Sequence, residues 1–582
     1  MKTNMDGFRQ ECKERALSNN TYDYITDYPI GLAENYDPSF CYTDLDGLYN
    51  IVYMNRNNVP GLDAGYFEYQ SVPTVYGLMQ TEEGFTIGGF DPTGLIASGI
   101  TQVQRPPLSL TGSGVVVCVI DTGIDYRNPV FRDENGNTRI LAIWDQTIQT
   151  GTPPEGFFFG TEYTADDINR ALQSDNPLEI VPSMDENGHG TAMAAVAAGN
   201  SMSSAQPYVG AAPGAQLVVV KLKQCKEYLR DFYRIAENAE AYQENDIMLG
   251  VSYADRFAIL FNRPVVICIG LGTNMGDHAG SSALPSYLNA VAVKRNRAVV
   301  VCGGNEGNAS HHYEGRLGTG DGAETFQDVE VRVGENNRGF LVEFWGNLPD
   351  IFQVTVRSPG GENVPAVRLS FGQSITYGFV YERSRVTIQS NLVEPASGEQ
   401  LFVFILQDPT PGIWTFRISA AVETHNGVFH MWLPIRDFLS SEVYFLSPSP
   451  NITLTEPAMA SNVISVTAYN PDNNSIYIES GRGYSRVGNI RPDLAAPGVN
   501  IPTPSGARTG SSLAAAMTAG AVAQFFQWAV VERNNQYAES REIKSYFIRG
   551  ASRSADTEYP NREFGYGRLN IAGVFETIRG NV

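Results

Sequence analysis

Arg508-Thr509-Gly510-Ser511-Ser512-Leu513-Ala514-Ala515-Ala516-Met517-Thr518-Ala519-Gly520 is the stretch whose reading decides the fold. A tight Gly-Ser-Ser turn runs into a helix built of small residues. A serine at the start of such a helix meets the positive end of the helix dipole and unpaired backbone N–H groups. That environment suits a nucleophile whose reaction generates an oxyanion. Taken alone, the same residues equally describe an N-cap serine on a tightly packed Ala/Gly helix. What separates the two readings lies upstream.

Gly114-Val115-Val116-Val117-Cys118-Val119-Ile120-Asp121-Thr122-Gly123-Ile124-Asp125 is a continuous apolar run that ends in an acidic residue and a turn. A buried parallel strand has this texture. Its carboxyl end is where open α/β sheets bind ligands, although an Asp opening a turn would look the same. In Asp185-Glu186-Asn187-Gly188-His189-Gly190-Thr191 a histidine sits between glycines at the head of an alanine-rich run. Gln216–Lys221 reads as a strand, residues near Tyr228 to Tyr242 as a polar helix, and Arg263–Gly272 as a strand ending in glycines. Ala298–Cys302 is a further strand, followed by Gly303-Gly304-Asn305, where an amide could serve an oxyanion or simply a turn. His311-His312 lacks a third metal ligand at useful spacing and reads as loop. Repeated βα units predict an α/β fold with a doubly wound parallel sheet.

Either side of this pattern the texture changes. Residues 1–97 read as a small α+β module with strands near Gly47–Met54 and Thr74–Met79, and Gly84 to Gly99 reads as a linker. From 324 to 448, short alternating strands such as Val329–Val333, Phe352–Val356 and Val386–Gln389 predict an antiparallel β-sandwich of jelly-roll type. It interrupts the α/β pattern, which spans 98–323 and resumes over 449–582. The 582 residues, 42% hydrophobic and 18% charged, have ordinary globular composition. A net charge of -22 argues against a general role on nucleic acid or an anionic membrane. Met1 to Cys12 shows no apolar leader core, and no run long enough to span a bilayer stands out. Synthesis in the cytoplasm is the expectation. The six cysteines show no CxxC spacing; Cys118, Cys268 and Cys302 read as small buried hydrophobes rather than disulfides or zinc ligands.

Val119-Ile120-Asp121-Thr122-Gly123, Asn187-Gly188-His189-Gly190-Thr191, Gly303-Gly304-Asn305-Glu306-Gly307, Ala495-Ala496-Pro497-Gly498 and Gly510-Ser511-Ser512-Leu513-Ala514 follow one another in Asp, His, Ser order. Together, over about 100–320 and 450–575, they resemble a subtilisin-like serine protease, which has that chain order. The insert and Glu558-Tyr559-Pro560-Asn561-Arg562-Glu563-Phe564-Gly565-Tyr566-Gly567 look like the clostridial germination-specific Csp proteases in particular. The resemblance implies a serine endopeptidase with Asp121, His189 and Ser512 as triad and Asn305 at the oxyanion. Gly270, Leu271, Gly272, Gly303 and Gly304 would line the substrate. It implies a peptide or protein substrate, no cofactor, and room for calcium without placing ligands for it. Residues 1–97 would be a self-cleaved prodomain that stays as an intramolecular inhibitor, cut between about Gly94 and Gln104. Limited proteolysis of another hydrolase and a place in the spore would be its role. Departures from the family pattern fall at Ser511, Ala516, Met517 and Gly270, and none removes a triad group. Two other readings stay open: a pseudoprotease that binds a signal or partner, and a sandwich that binds carbohydrate.

Overall fold

Eight strands form the sheet on which the site is built. In chain order they are β1 (Val116–Asp121), β2 (Ile140–Asp145), β3 (Thr161–Thr164), β4 (Gln216–Lys221), β5 (Val265–Ile269), β6 (Arg297–Cys302), β7 (Ile464–Tyr469) and β8 (Leu494–Pro497). The computed structural model describes residues 2–28, 41–59, 62, 68–79, 82–83, 91–201, 207–318, 325–365 and 372–580. The spatial order is β8-β7-β6-β5-β1-β4-β2-β3. All neighbours run parallel except β3, which is antiparallel to β2. The chain builds outward from β1 first on one side and then on the other, so the end of β1 lies at the switch point where such sheets bind ligands.

Both faces of β1 are covered, which explains its unbroken apolar run. Val117 and Val119 pack with helices α1 (His189–Ala198) and α4 (Ser511–Phe526). Val116, Cys118 and Ile120 point the other way, onto α2 (Glu244–Leu260) and α3 (Ala283–Ala292). With a side-chain period of two, Asp121 falls on the α1/α4 face.

The antiparallel sandwich has two sheets. One holds, in spatial order, His312–Arg316, Val428–Trp432, Gly339–Gly346, Gln400–Gln407, Arg385–Asn391 and Gln373–Gly378. The other holds Phe352–Arg357, Gly412–Ala420, Phe326–Val333 and Val443–Phe445. Phe344, Phe402, Phe404, Trp414, Phe416 and Phe429 fill the space between them. Leu341, Trp345, Leu401 and Val403 face outward from the larger sheet and join the core of the α/β domain. That is why Gly339–Gly346 is buried throughout and does not alternate. Within the N-terminal module, helix Lys2–Leu17 packs on antiparallel strands Thr21–Thr26, Tyr49–Asn55 and Tyr42–Leu45.

Several expectations change. His312 opens a sandwich strand, and both His311 and His312 are buried rather than in an exposed loop. The polar helix stops at Tyr233, and Ala241–Gln243 is a strand. Of the expected linker, Thr93–Ala97 is a short helix, because Leu95 has apolar surface to bury; residues 84–90 lie outside those described. Cys12 and Cys41 are joined by a disulfide with Cα atoms 5.2 Å apart, a pairing their spacing did not suggest. Finally, residues 511–531 are long and apolar enough to span a membrane by length and composition. They are apolar because α4 is a central core helix, buried along its whole length.

Helices α1 and α4 lie against each other through small residues. A Cβ on Gly520 would stand 2.3 Å from Cβ of Ala211 and 2.7 Å from the carbonyl oxygen of Ala197. Neither is the end of a flexible side chain, so the contact has no room to yield. Gly520→Val is expected to cost about 1–3 kcal/mol through overpacking, read as a lower midpoint in thermal unfolding.

Candidate active site

Asp121 ends β1 fully buried, and its Oδ1 accepts hydrogen bonds from the backbone N–H of Thr122 (2.8 Å) and from Nδ1 of His189 (2.7 Å). His189 is the first residue of α1. Its other ring nitrogen, Nε2, is 2.9 Å from Oγ of Ser512. With Nδ1–H donated to the carboxylate, Nε2 is left to accept the serine proton. Among the described residues the hydroxyl bonded to His189 is that of Ser512, not of Ser511. Ser512 sits in the first turn of α4, where backbone N–H groups are unpaired within the helix.

Three side chains that the sequence reading did not single out hold this group in place. Asp185 Oδ1 accepts from Thr122 Oγ1 (2.8 Å) and from the backbone N–H of Gly188 (2.8 Å). Its Oδ2 accepts from the backbone N–H (2.8 Å) and Oγ1 (2.6 Å) of Thr191, so it caps α1. Thr122 Oγ1 in turn accepts from the N–H of Gly190 (2.9 Å), and Lys221 at the end of β4 donates to the carbonyl of Met184 (2.5 Å). The signal available in the sequence was an Asp and a Thr bracketing the His-bearing turn. Burial works against a charged imidazole at His189, but the charge and hydrogen bond of Asp121, with help from Asp185, outweigh it and raise its pKa.

Asn305 follows β6 and the turn Gly303-Gly304. Its Oδ1 accepts from the backbone N–H of Ser511 (3.0 Å), which leaves Nδ2 as the donating end. The site also contains a piece of the N-terminal module. Val75–Leu78 runs antiparallel between Ala241–Gln243 and Leu271–Gly272, with Leu78 opposite Leu271 and Gly77 opposite Gly272. The N–H of Met79 donates to the carbonyl of Gly270 (3.3 Å). The carbonyl oxygen of Met79 is 3.4 Å from Oγ of Ser512.

Of the five residues expected along the substrate, Gly270, Leu271 and Gly272 therefore flank an extended strand. Gly303 and Gly304 do not pair with it. Their carbonyls accept from the N–H groups of Thr455 (3.2 Å) and Gly481 (3.0 Å), so they form a wall. The opposite flank, Ala241–Gln243, was hidden in a stretch that read as helix. Buried Glu244 follows it and takes the N–H of Thr74 (3.0 Å) and of Leu284 (2.8 Å) on its carboxylate. The window 94–104 lies in helices Thr93–Ala97 and Ile100–Gln104 and the turn between them, with Leu95, Ile100 and Val103 buried. Among the described residues no group of three or more His, Cys, Asp or Glu is arranged to hold a metal ion.

The subtilase family model matches residues 112–326 and 446–567. The solved structure of the CspB protease of Clostridium perfringens is similar, with 30% identity and a TM-score of 0.74. The match covers 84% of this chain and 98% of that one. Serine protease AprX of Bacillus subtilis (strain 168) is 32% identical over 152 residues, and the match spans only 26% of that relative's length.

A base must be neutral to accept a proton, so a raised pKa moves the loss of activity to higher pH. Release of p-nitrophenol from a small activated ester at Ser512 is expected to fall as pH falls, with a midpoint above the ordinary histidine value of 6.5. Asp121→Asn removes the charge that raises it and is expected to shift that midpoint down while slowing the reaction.

Proposed function

The chain belongs to the subtilase family, and from that premise we propose that it is a serine endopeptidase that works through Asp121, His189 and Ser512 and processes itself. The observation that carries this reading is the position of one hydroxyl. Ser512 Oγ lies 2.9 Å from a histidine nitrogen and 3.4 Å from a backbone carbonyl oxygen delivered by an extended strand.

Ser512 attacks a peptide carbonyl while His189 takes its proton and then passes it to the leaving amine. Asp121 holds the imidazole with Nδ1 protonated and stabilises its charged form. The tetrahedral oxyanion is met by Nδ2 of Asn305 and the backbone N–H of Ser512. Water then hydrolyses the acyl-enzyme by the same groups in reverse.

The N-terminal module is the first substrate and then an inhibitor, and its attachment supports that role. Asp23 is fully buried. It pairs with Lys226 Nζ (2.6 Å) and accepts from Gln243 Nε2 (2.7 Å), both across the interface. The Lys226 ammonium also donates to the carbonyl of Arg15 (3.2 Å). A desolvated pair of this kind is costly to separate, so the module stays in place after its connection is cut. Substrates from outside are peptides or proteins that adopt the extended form of residues 75–79, and limited proteolysis of another hydrolase fits a cleft of that shape.

The test is intact mass. The wild type is expected to appear as two fragments and Ser512→Ala as one full-length chain. A wild type that stays whole and also fails to react with a fluorophosphonate would make the protein a binding pseudoprotease. Asn305→Ala is expected to lower turnover about 10²–10³-fold, a figure the same family supplies, since it was measured on subtilisin.

A further inference from the structure

Residues 75–79 lie along the cleft and bring one backbone carbonyl to Ser512. The chain approaches Ser512 along Val75–Leu78 and places the Met79 carbonyl at the nucleophile. It is next seen at Glu82 and Glu83, whose backbone pairs with Thr509 and Arg508 immediately before Ser512. Backbone contacts thus hold the chain at Met79 and again at Glu82 and Glu83. Met79 is the one residue of the approaching strand whose N–H bonds to Gly270 and whose carbonyl bonds to Ser512.

The Met79 side chain is buried at 2% exposure. It enters a slot between two chain segments that both bear glycine. At Gly272 the position of a Cβ would lie 2.3 Å from Thr455 Oγ1 and 3.2 Å from Met79 Cε. At Gly304, in the facing wall, a Cβ would lie 2.5 Å from the same Thr455 Oγ1. Thr455 is thus wedged between the walls and forms the end of the slot beside the methionine tip. Its hydroxyl is buried and has no hydrogen-bond partner among the described residues. A buried hydroxyl ordinarily has one. The neighbouring Glu456 has its Cγ 3.4 Å from a Cβ position on Gly276.

Building on the proposed protease activity, we propose that self-cleavage follows Met79 and that Thr455 is the residue that fixes specificity. By closing the slot, it selects a long, unbranched, uncharged side chain before the cut. Methionine fits by shape. Glutamine has the same length and adds an amide for the idle hydroxyl. In the reaction the Ser512 Oγ–C bond forms at the Met79 carbonyl to give the tetrahedral oxyanion, whose collapse breaks the Met79 C–N bond. The hydroxyl proton passes through His189 to the departing nitrogen of the next residue. Water then releases a Met79 carboxylate and restores Ser512.

Intact mass and fragment sequencing of the full-length wild type test the position. Fragments ending at Met79 and beginning at residue 80 are the expected result, and a cut anywhere else, including 94–104, overturns the proposal. An uncut wild type also overturns it; if Ser512 in that protein still reacts with a fluorophosphonate, the endopeptidase reading survives while self-processing and this inference fall. The pocket is tested on processing rates. Met79→Gln is expected to be cut within about 10-fold of wild type, the scale of one hydrogen bond gained or lost. Met79→Phe and Met79→Lys are expected to be cut about 10–100-fold more slowly, as overfilling or burying an unpaired charge requires. Thr455→Ala is expected to recover Met79→Phe by about 10-fold while leaving Met79→Lys slow. Failure of that rescue, or faster cutting after Lys than after Met, would remove Thr455 from the role.

Discussion

The close approach of α1 and α4 on one face of the parallel sheet is the constraint on which the site depends. His189 opens one helix and Ser512 the other, and their side chains meet at 2.9 Å. Two helices carrying ordinary side chains stand 8–10 Å apart. Here Gly520 of α4 comes so close to α1 that a Cβ on it would stand 2.7 Å from the carbonyl oxygen of Ala197, which lets the helix starts converge on the end of β1. Asp121 reaches the same point because the period of a strand puts it on that face. The small residues are thus not filler around a motif; they let the His189 and Ser512 side chains come within hydrogen-bond distance.

The second feature is that the cleft is filled by the protein itself. An extended segment with an unpaired strand on each side completes a three-stranded sheet, which satisfies the backbone groups of Ala241–Gln243 and Leu271–Gly272 that would otherwise face solvent. Backbone pairing is indifferent to side chain, so it supplies binding without choosing a sequence. Choice falls to the slots that take alternate side chains. The buried Asp23–Lys226 pair and the Glu244 carboxylate then fix where the N-terminal module sits, and so which residue reaches Ser512.

The sandwich acts as a buttress. At Gly339–Gly346 and Gln400–Gln407 its larger sheet is covered on both faces, by Phe344 and Phe402 within the sandwich and by Leu341 and Trp345 against the α/β domain. Glu343, fully buried on the second face, accepts from the N–H of Gly276 (2.9 Å) and from Trp345 Nε1 (3.1 Å), and is bonded to the hydroxyl of Tyr69. Burial pushes its pKa up to about 7. One carboxyl group thus ties together the insert, the loop after Leu271–Gly272, and the N-terminal module.

By itself the sequence determined what depends on neighbours along the chain. Apolar runs ending in Asp121 and Asn305, glycines around His189, and the Gly-Ser-Ser start of α4 place each chemical group at the end of a strand or the start of a helix. Alternation in Phe326–Val333 marked the sandwich for the same reason. Only the tertiary structure decided what crosses long distances. His312–Arg316 became a strand because Val428–Trp432 was there to pair with it. Cys12 met Cys41 because a helix packs on a sheet. Nothing in Val75–Met79 distinguishes it from any short strand. It lies at Ser512 because two strands, at 241–243 and 271–272, offer it hydrogen bonds. Likewise 94–104, which resemblance put at the cut, has apolar residues with a core to join. Local patterns fix which groups exist and how each is presented. Which group meets which is settled by burial and backbone pairing between segments that the chain order keeps far apart.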